Sequence, residues 1–137
     1  MRVLRVHWLS DAALQEVYRL VVVSRLLYAA SAWHGFTKAS ERQCINLLFD
    51  RAKRYGYCMP DLPTFEDLYE STDDQLFNKT VSNSSHTLHT LLPPCTISTA
   101  SQHYNLRHRT HTRSLPKHDT HLCDRNFLTR MLYKDSY

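Results

Sequence analysis

The absence of helix-breaking residues from the first part of the chain is the feature that most constrains the fold. No proline occurs before Pro60, and the only glycines are Gly35 and Gly56. Because proline interrupts helices and glycine weakens them, residues 1–58 can form long helices, whereas five prolines punctuate the remainder. We therefore expect a mainly α-helical fold: a small bundle of two longer helices and several short ones, with a loosely structured basic tail and a short C-terminal helix.

The first predicted helix begins at Ser10 and Asp11 and ends just before Gly35. Its first half is amphipathic, and its second half, from Val22 to Trp33, is apolar all round the axis. A helix of that kind has to be covered on most sides, and so we expect that the chain has lost a neighbouring domain. The residues predicted to share the apolar face of the first half are Leu14, Val17, Tyr18 and Val21.

The remaining helices are shorter or more polar. We expect Thr37 to cap a helix from Lys38 to Tyr55, with short helices over 65–71 and 73–81, where Asp73 and Asp74 act as a cap. A further turn is predicted within 85–92, and a C-terminal helix over 126–134 capped by Asp124. These elements divide into a helical segment (1–92), a flexible, basic, histidine-rich linker (93–123) and the C-terminal helix (124–137). The predicted inward arc of the second helix is Ile45, Leu48, Phe49, Ala52 and Tyr55.

Charge is distributed in three blocks. Residues 1–58 carry a net +5, residues 59–100 a net −5 and residues 101–137 a net +4, which gives +4 in all. Basic blocks at both ends suit a polyanion, although an uneven solvated surface explains them equally well. On the second helix we expect Arg42 and Lys53 opposite the apolar arc. Arginine forks suit phosphate and tyrosine stacks on bases. The candidate nucleic-acid contacts are Arg42, Arg51, Lys53, Arg54, Tyr104, Arg107, Arg109, Arg113 and Arg130.

Motifs for catalysis are not found in the sequence. It has no glycine-rich phosphate loop and no Gly-x-Ser-x-Gly elbow. A zinc site is an alternative for the histidine-rich tail, because two short spacings there are compatible with metal ligation, but a matching cysteine pair is missing. We expect no enzyme activity, no metal and no cofactor. The residues of that alternative are His108, His111, His118, His121 and Cys123.

The expected location is intracellular, either nuclear or cytoplasmic. The N-terminus lacks a signal-peptide pattern, and the four cysteines include no Cys-x-x-Cys pair. The most apolar run, Leu20 to Trp33, contains Arg25 and is shorter than the roughly 20 residues of a membrane span. We therefore expect a chain that is neither secreted nor membrane-bound.

Several stretches, taken in order, resemble the region just after the palm in reverse transcriptases of LINE-type (non-LTR) retrotransposons of the jockey kind. The resemblance extends over nearly the whole chain. The stretches are LQEVYR (14–19), VVVSRLLYAASAW (21–33), GFT (35–37), Arg42-Gln43, DLPTF (61–65), DQLF (74–77), HTLHTLLPP (86–94), YNLRHRTH (104–111), Leu115-Pro116 and NFLTRMLYKD (126–135).

This resemblance implies a thumb and connection segment that grips a template–primer duplex beside the palm. The catalytic aspartates and the endonuclease of that family lie upstream, so that no catalytic residue is carried over. Because Met1 falls inside the pattern, the chain resembles a truncated copy. The implied partners are RNA or an RNA–DNA duplex, bound in a salt-sensitive manner, and the missing palm. The alternative is a small helical protein-interaction module that binds no nucleic acid.

Overall fold

The structure is a computed structural model that describes residues 9–95, 111–117 and 120–134. It is mainly helical, which confirms the predicted fold class. Within these ranges the only β pairing is an isolated antiparallel bridge between Cys95 and Arg113. The helices are α1 (Asp11–Val17), a π-helix (Tyr18–Val23), α2 (Ser24–Leu27), α3 (Ala30–Trp33), a 3-10 helix (His34–Phe36), α4 (Ala39–Arg54), α5 (Phe65–Ser82), a 3-10 helix (Thr87–Leu91), α6 (His121–Asp124) and α7 (Phe127–Tyr133).

The chain forms two compact units, Met1–Thr72 and Asp73–Tyr137, called unit 1 and unit 2 below. The division predicted from the sequence, with boundaries at 92/93 and 123/124, stays a prediction. Within its linker, residues 93–123, the structure places a buried His111 and the first residues of α6. No helix in the described ranges is long and apolar enough to cross a membrane.

A π-helix shifts the register of the first helical segment, the name used here for residues 11–33, from the start of α1 to the end of α3. The sequence predicts Val21 on the apolar face, but Val21 is 56 % exposed and Val23 is 5 % exposed. In an α-helix, Val23 would be rotated by about 140° from Tyr18. In a π-helix, residues five apart are joined by a hydrogen bond, so that Tyr18 and Val23, its first and last residues, are both buried. The predicted position of Val21 is therefore wrong, while Leu14 and Tyr18 are buried as expected.

The predicted first helix is not continuous up to Gly35. Ala29 adopts the left-handed conformation, with φ 51° and ψ 26°, between α2 and α3. This break turns the Tyr28 carbonyl toward the indole of Trp33, whose Nε1–H donates a hydrogen bond to it over 3.1 Å. Because Ala29 carries a Cβ atom, it is not a residue from which the sequence predicts a left-handed position.

Replacing Ala29 by glycine is expected to stabilise unit 1 by roughly 0.5–1 kcal/mol, because glycine removes the steric penalty of the left-handed conformation. The measurement is the free energy of unfolding in urea. The control is Ala32→Gly, since Ala32 is also exposed but lies within α3. That change is expected to destabilise by about 1 kcal/mol. Equal effects of the two substitutions would contradict the left-handed assignment.

The two long helices differ from their predictions at their starts. The predicted helix from Lys38 to Tyr55 is confirmed as α4, but Lys38 and not Thr37 is its N-cap residue. The Thr37 hydroxyl instead donates to the His34 carbonyl over 2.6 Å. The amide of Lys38 donates to the Glu41 carboxylate over 2.8 Å, which satisfies one of the free N–H groups at the helix start.

The two short helices predicted over 65–71 and 73–81 are one continuous helix, α5. Its start is as predicted: the Asp67 amide donates to the Thr64 hydroxyl over 3.2 Å, and the Thr64 amide donates to the Asp67 carboxylate over 3.1 Å. Asp73 is 1 % exposed in the interior of α5, so that its predicted role as a cap is wrong.

An aromatic cluster forms the centre of unit 1. Phe65, fully buried, stacks on Trp33 with ring centroids 5.8 Å apart, and it meets Phe49 edge to face at 6.4 Å. His34 stacks on Tyr69 at 3.4 Å. These contacts join the segment before α4, α4 itself and the first turns of α5, because each contributes a ring to one cluster.

In unit 2, the second half of α5 packs against α7. Its apolar core consists of Phe77 from α5 and Phe127, Met131 and Leu132 from α7. The cap of α7 is Asn126, whose side chain accepts from the Leu128 amide over 3.0 Å, so that the predicted cap at Asp124 is wrong.

Candidate functional site

The last turn of α4 presents two cations and an aromatic ring to solvent. The side chains of Arg51 and Arg54 are exposed, and Tyr55, the residue that follows α4, is 53 % exposed. The Tyr55 ring lies 5.9 Å from that of Tyr57. In the described part of the chain, neither arginine has an ion-pair partner, and both guanidinium groups can therefore reach a ligand. We call Arg51, Arg54 and Tyr55 the basic end of α4.

This surface includes a residue that the sequence places elsewhere. Tyr55 was predicted to face inward with Leu48, yet both side chains are exposed, while Phe49 and Ala52 are buried as predicted. The spacing of apolar and polar residues along a helix predicts which of them share a face. It does not show how wide a strip of that face the rest of the unit covers.

Arg42 and Lys53 lie beside the buried face of α4 and not opposite to it, which corrects their predicted position. The ammonium group of Lys53 donates to the Leu62 carbonyl over 2.5 Å. The guanidinium of Arg42 lies 3.9 Å from the Glu66 carboxylate. Both side chains are half-buried and tie α4 to the segment that begins α5. They are therefore less available to an external ligand than the basic end of α4.

Two of the basic residues predicted in the tail, Arg113 and Arg130, are among the described residues, and both lie in unit 2. The Arg113 guanidinium donates to the Pro93 carbonyl over 3.2 Å, and Arg130 forms an ion pair with buried Asp73 at 3.0 Å. Both contacts are internal and hold unit 2 together. The other three predicted contacts of the tail, Tyr104, Arg107 and Arg109, lie outside the described residues.

His111, a ligand in the zinc alternative, has a structural position. Its Nε2–H donates to the Leu132 carbonyl over 2.9 Å, and its Nδ1 accepts the Arg113 amide over 3.1 Å. Because a carbonyl only accepts, the proton resides on Nε2 and both ring nitrogens are occupied. His121 and Cys123 are exposed, and His108 and His118 lie outside the described residues. The described ranges contain no group of three potential metal ligands.

The first helical segment also exposes apolar side chains. Leu20 and Val21 of the π-helix are more than half exposed, and Tyr28, just after α2, is 80 % exposed. On α4, Leu47 and Leu48 are exposed as well. Scattered apolar residues are normal at a surface, but Leu20 and Val21 are adjacent and bulky. They are residues of the segment that the sequence predicts to be covered by a partner.

A cavity of about 240 Å³ lies within unit 1, between the first helical segment and the residues that follow α4. Buried Tyr18, Val23 and Cys58 line its inner part. Exposed Glu16 and Arg19 line its outer part, and these carry opposite charges. The sequence does not predict this cavity, because it depends on the π-helix and on residues about forty positions apart along the chain.

The two titratable groups in the inner part of the cavity remain neutral. Burial, helped by the nearby Cys58, raises the pKa of Tyr18 to about 12. Burial also raises the pKa of the Cys58 thiol, although Lys53 opposes this effect. Near neutral pH the Tyr18 hydroxyl is therefore a hydrogen-bond donor, and the Cys58 thiol is not a reactive thiolate.

Comparisons with known proteins add no assignment to this geometry. No protein-family model, no curated protein and no solved structure matches the chain.

Proposed function

We propose that this chain is a non-catalytic segment of the region that follows the palm in LINE-type reverse transcriptases, and that it binds the backbone of RNA or of an RNA–DNA duplex. The proposal joins the resemblance in the sequence to one observation in the structure. That observation is the basic end of α4, where Arg51 and Arg54 are exposed next to an exposed tyrosine ring.

The chemistry of this surface suits a nucleic-acid backbone. Arginine presents a planar fork of donors that matches phosphate oxygens, and a tyrosine face stacks on an unpaired base without sequence preference. Arg51 and Arg54 are three residues apart on α4 and thus neighbours on the helix surface. Binding through two phosphate contacts is expected to be sequence-indifferent and to weaken as the salt concentration rises.

The same arginines also complement the negative end of the α4 dipole. Their removal can therefore lower the stability of the helix as well as affinity. For this reason, helix content and unfolding have to be measured for each variant used in the binding test.

The test is the affinity of the chain for a labelled RNA–DNA duplex and a labelled single-stranded RNA, measured by fluorescence anisotropy between about 50 and about 200 mM salt. The double variant Arg51→Gln/Arg54→Gln is expected to bind more weakly and to reduce the slope of log affinity against log salt by about 2, one for each phosphate that an arginine no longer neutralises. Tyr55→Ala is expected to weaken binding of the single strand more than that of the duplex.

The matched control is Lys79→Gln/Lys117→Gln, which removes the same charge from exposed positions in unit 2. It is expected to change the net charge equally but to leave the salt slope unchanged. Equal losses in the two double variants would show only a general charge effect and would refute binding by the basic end of α4. Affinity that does not depend on salt would refute backbone binding, and primer extension by the pure chain would refute a non-catalytic role.

A second candidate function is docking to a protein partner, which the exposed apolar residues of the first helical segment favour. In the retroelement interpretation that partner is the palm of the parent protein. Such an interface would bury Leu20, Val21 and Tyr28. Because the burial of apolar surface would drive the association, its equilibrium constant is expected not to change with salt concentration. Sedimentation equilibrium at low and moderate salt distinguishes the two candidates, because association that persists in salt without nucleic-acid binding favours docking.

A further inference from the structure

The outer side of the first helical segment has an apolar centre between two opposite charges. Leu20 and Val21 are 62 % and 56 % exposed. Exposed Glu16 lies one turn before Leu20, and exposed Arg25 lies one turn after Val21, so that each charge is the neighbour of an apolar side chain on the helix surface. In the described ranges neither charge has an ion-pair partner. We call this surface the outer strip, which consists of Glu16, Leu20, Val21, Arg25 and Tyr28.

The order of charges along the outer strip is complementary to a second copy of the same strip running in the opposite direction. With a twofold axis between residues 20 and 21, Leu20 of each copy faces Val21 of the other. Glu16 then faces Arg25, once on each side of the axis, because the two residues lie equally far from it. A parallel arrangement would place Glu16 opposite Glu16 and Arg25 opposite Arg25, which is unfavourable. The charges therefore favour an antiparallel pair.

The sizes of the side chains fit the same arrangement. Tyr28 is 80 % exposed and in this register faces Ala13 of the second copy. Ala13 and its neighbour Ala12 are small, and they leave room for the phenol ring against the helix surface. The ring buries its apolar body there, while its hydroxyl stays at the edge of the interface in contact with water. Each end of the interface is thus closed by one tyrosine.

We propose that the outer strip is the interface of a homodimer, in which two copies of the first helical segment pack antiparallel about a twofold axis. One side of one helix gives a small interface, below the roughly 1,200 Å² at which stable complexes begin, and the dimer is therefore weak. The proposal rests neither on nucleic-acid binding nor on the palm, and its failure would leave the basic end of α4 unaffected.

The test is sedimentation equilibrium of the whole chain between about 10 and about 500 µM, which brackets the Kd on the order of 100 µM expected for such an interface. A reductant is present throughout, because exposed cysteines would otherwise crosslink the chains. Glu16→Arg and Arg25→Glu are made separately, and each places like charges opposite each other at both ends of the interface. Each variant alone is expected to dimerise about tenfold more weakly.

An equimolar mixture of these two variants is expected to dimerise about as well as the unmodified chain. In the mixed dimer, the arginines of one variant face the glutamates of the other, so that the attraction is restored. The double variant Glu16→Arg/Arg25→Glu is likewise expected to regain self-association. Both results require contact between the two positions in different copies, and an effect on folding alone would not produce them.

The apolar centre is tested by Leu20→Gln/Val21→Gln, which is expected to abolish dimerisation. Its matched control is Leu47→Gln/Leu48→Gln, because these α4 side chains are also exposed but lie outside the outer strip. The control is expected to leave the Kd unchanged. Circular dichroism confirms that each variant is folded before sedimentation.

Three outcomes would overturn the homodimer. A chain that stays monomeric over the whole range would do so, and the outer strip would then remain as a surface for the palm. Equal losses in the two double glutamine variants would mean that the outer strip is not the interface. A mixture of the charge variants that associates no better than either one alone would exclude the antiparallel pairing of Glu16 with Arg25.

Discussion

Replacing Phe65 by alanine is expected to cost unit 1 about 3–5 kcal/mol of unfolding free energy, enough to unfold a marginally stable domain. Phe65 is fully buried and contacts Trp33, Phe49 and Tyr69 through its ring. Truncation therefore removes the ring around which the first helical segment, α4 and α5 pack. It also leaves a void that a small unit cannot close without moving a helix.

The measurement is urea unfolding followed by the fluorescence of Trp33, whose indole stacks on the Phe65 ring. The chain has two tryptophans, and so Trp8→Phe is made in every variant to leave Trp33 as the only reporter. Phe36→Ala serves as the control, because Phe36 is 45 % exposed and its loss is expected to cost no more than about 0.5 kcal/mol. Similar costs for the two substitutions would mean that the aromatic cluster does not stabilise unit 1.

Replacing Arg130 by methionine is expected to cost unit 2 about 3 kcal/mol, because it leaves the Asp73 carboxylate buried without its cation. The two side chains are 3.0 Å apart, and the Asp73 side chain is 2 % exposed while that of Arg130 is 22 % exposed. Partial exposure of the arginine screens the pair, so that the expected cost lies at the lower end of the range for broken buried pairs.

The control is the neighbouring pair of Lys134 and Asp74, whose nitrogen and oxygen are 2.7 Å apart but whose side chains are 34 % and 47 % exposed. Lys134→Met is expected to cost no more than about 1 kcal/mol. Hydrogen exchange of the α7 amides reports on unit 2 locally, and exchange of the α4 amides serves as an internal reference. The double variant Asp73→Leu/Arg130→Met is expected to recover most of the missing protection, since it removes the uncompensated charge. No recovery would indicate that Arg130 acts through its packing and not through its charge.

Helix content and the bounds of α4 follow from the sequence, whereas the details that shape the cavity do not. Between Lys38 and Tyr55 no breaker interrupts the helical periodicity, and the observed α4 differs by one residue at each end. In the first helical segment, the prediction assumed a constant α-helical twist. The π-helix from Tyr18 to Val23 breaks that assumption. The sequence does not reveal such a shift where all the residues are apolar. Here the buried residue is Val23 in place of the predicted Val21, and both are valines.

Tertiary contacts explain the other differences. Asp73 and Asp74 follow Ser71 and Thr72 and have the local pattern of a helix start, yet the ion pair with Arg130 stabilises Asp73 inside a continuous helix. Capping preferences reflect hydrogen bonds between a side chain and the backbone groups near it in sequence. For Asp73, the ion pair with Arg130, nearly sixty residues further along the chain, outweighs that local preference. Among the candidate contacts, composition identified the arginines, but only the structure distinguishes exposed Arg51 from half-buried Arg42.

The position of α7 has a consequence for the order in which the chain folds during synthesis. The buried pair of Asp73 with Arg130 and the hydrogen bond from His111 to the Leu132 carbonyl both depend on residues of α7. Unit 2 therefore cannot complete its core during synthesis until the chain has emerged from the ribosome beyond about residue 134. The core of unit 1 consists of residues that emerge much earlier. A nascent chain, or one ended by a premature stop codon before residue 127, would expose Phe77 and leave Asp73 in water, and we expect chaperones and proteases to recognise it.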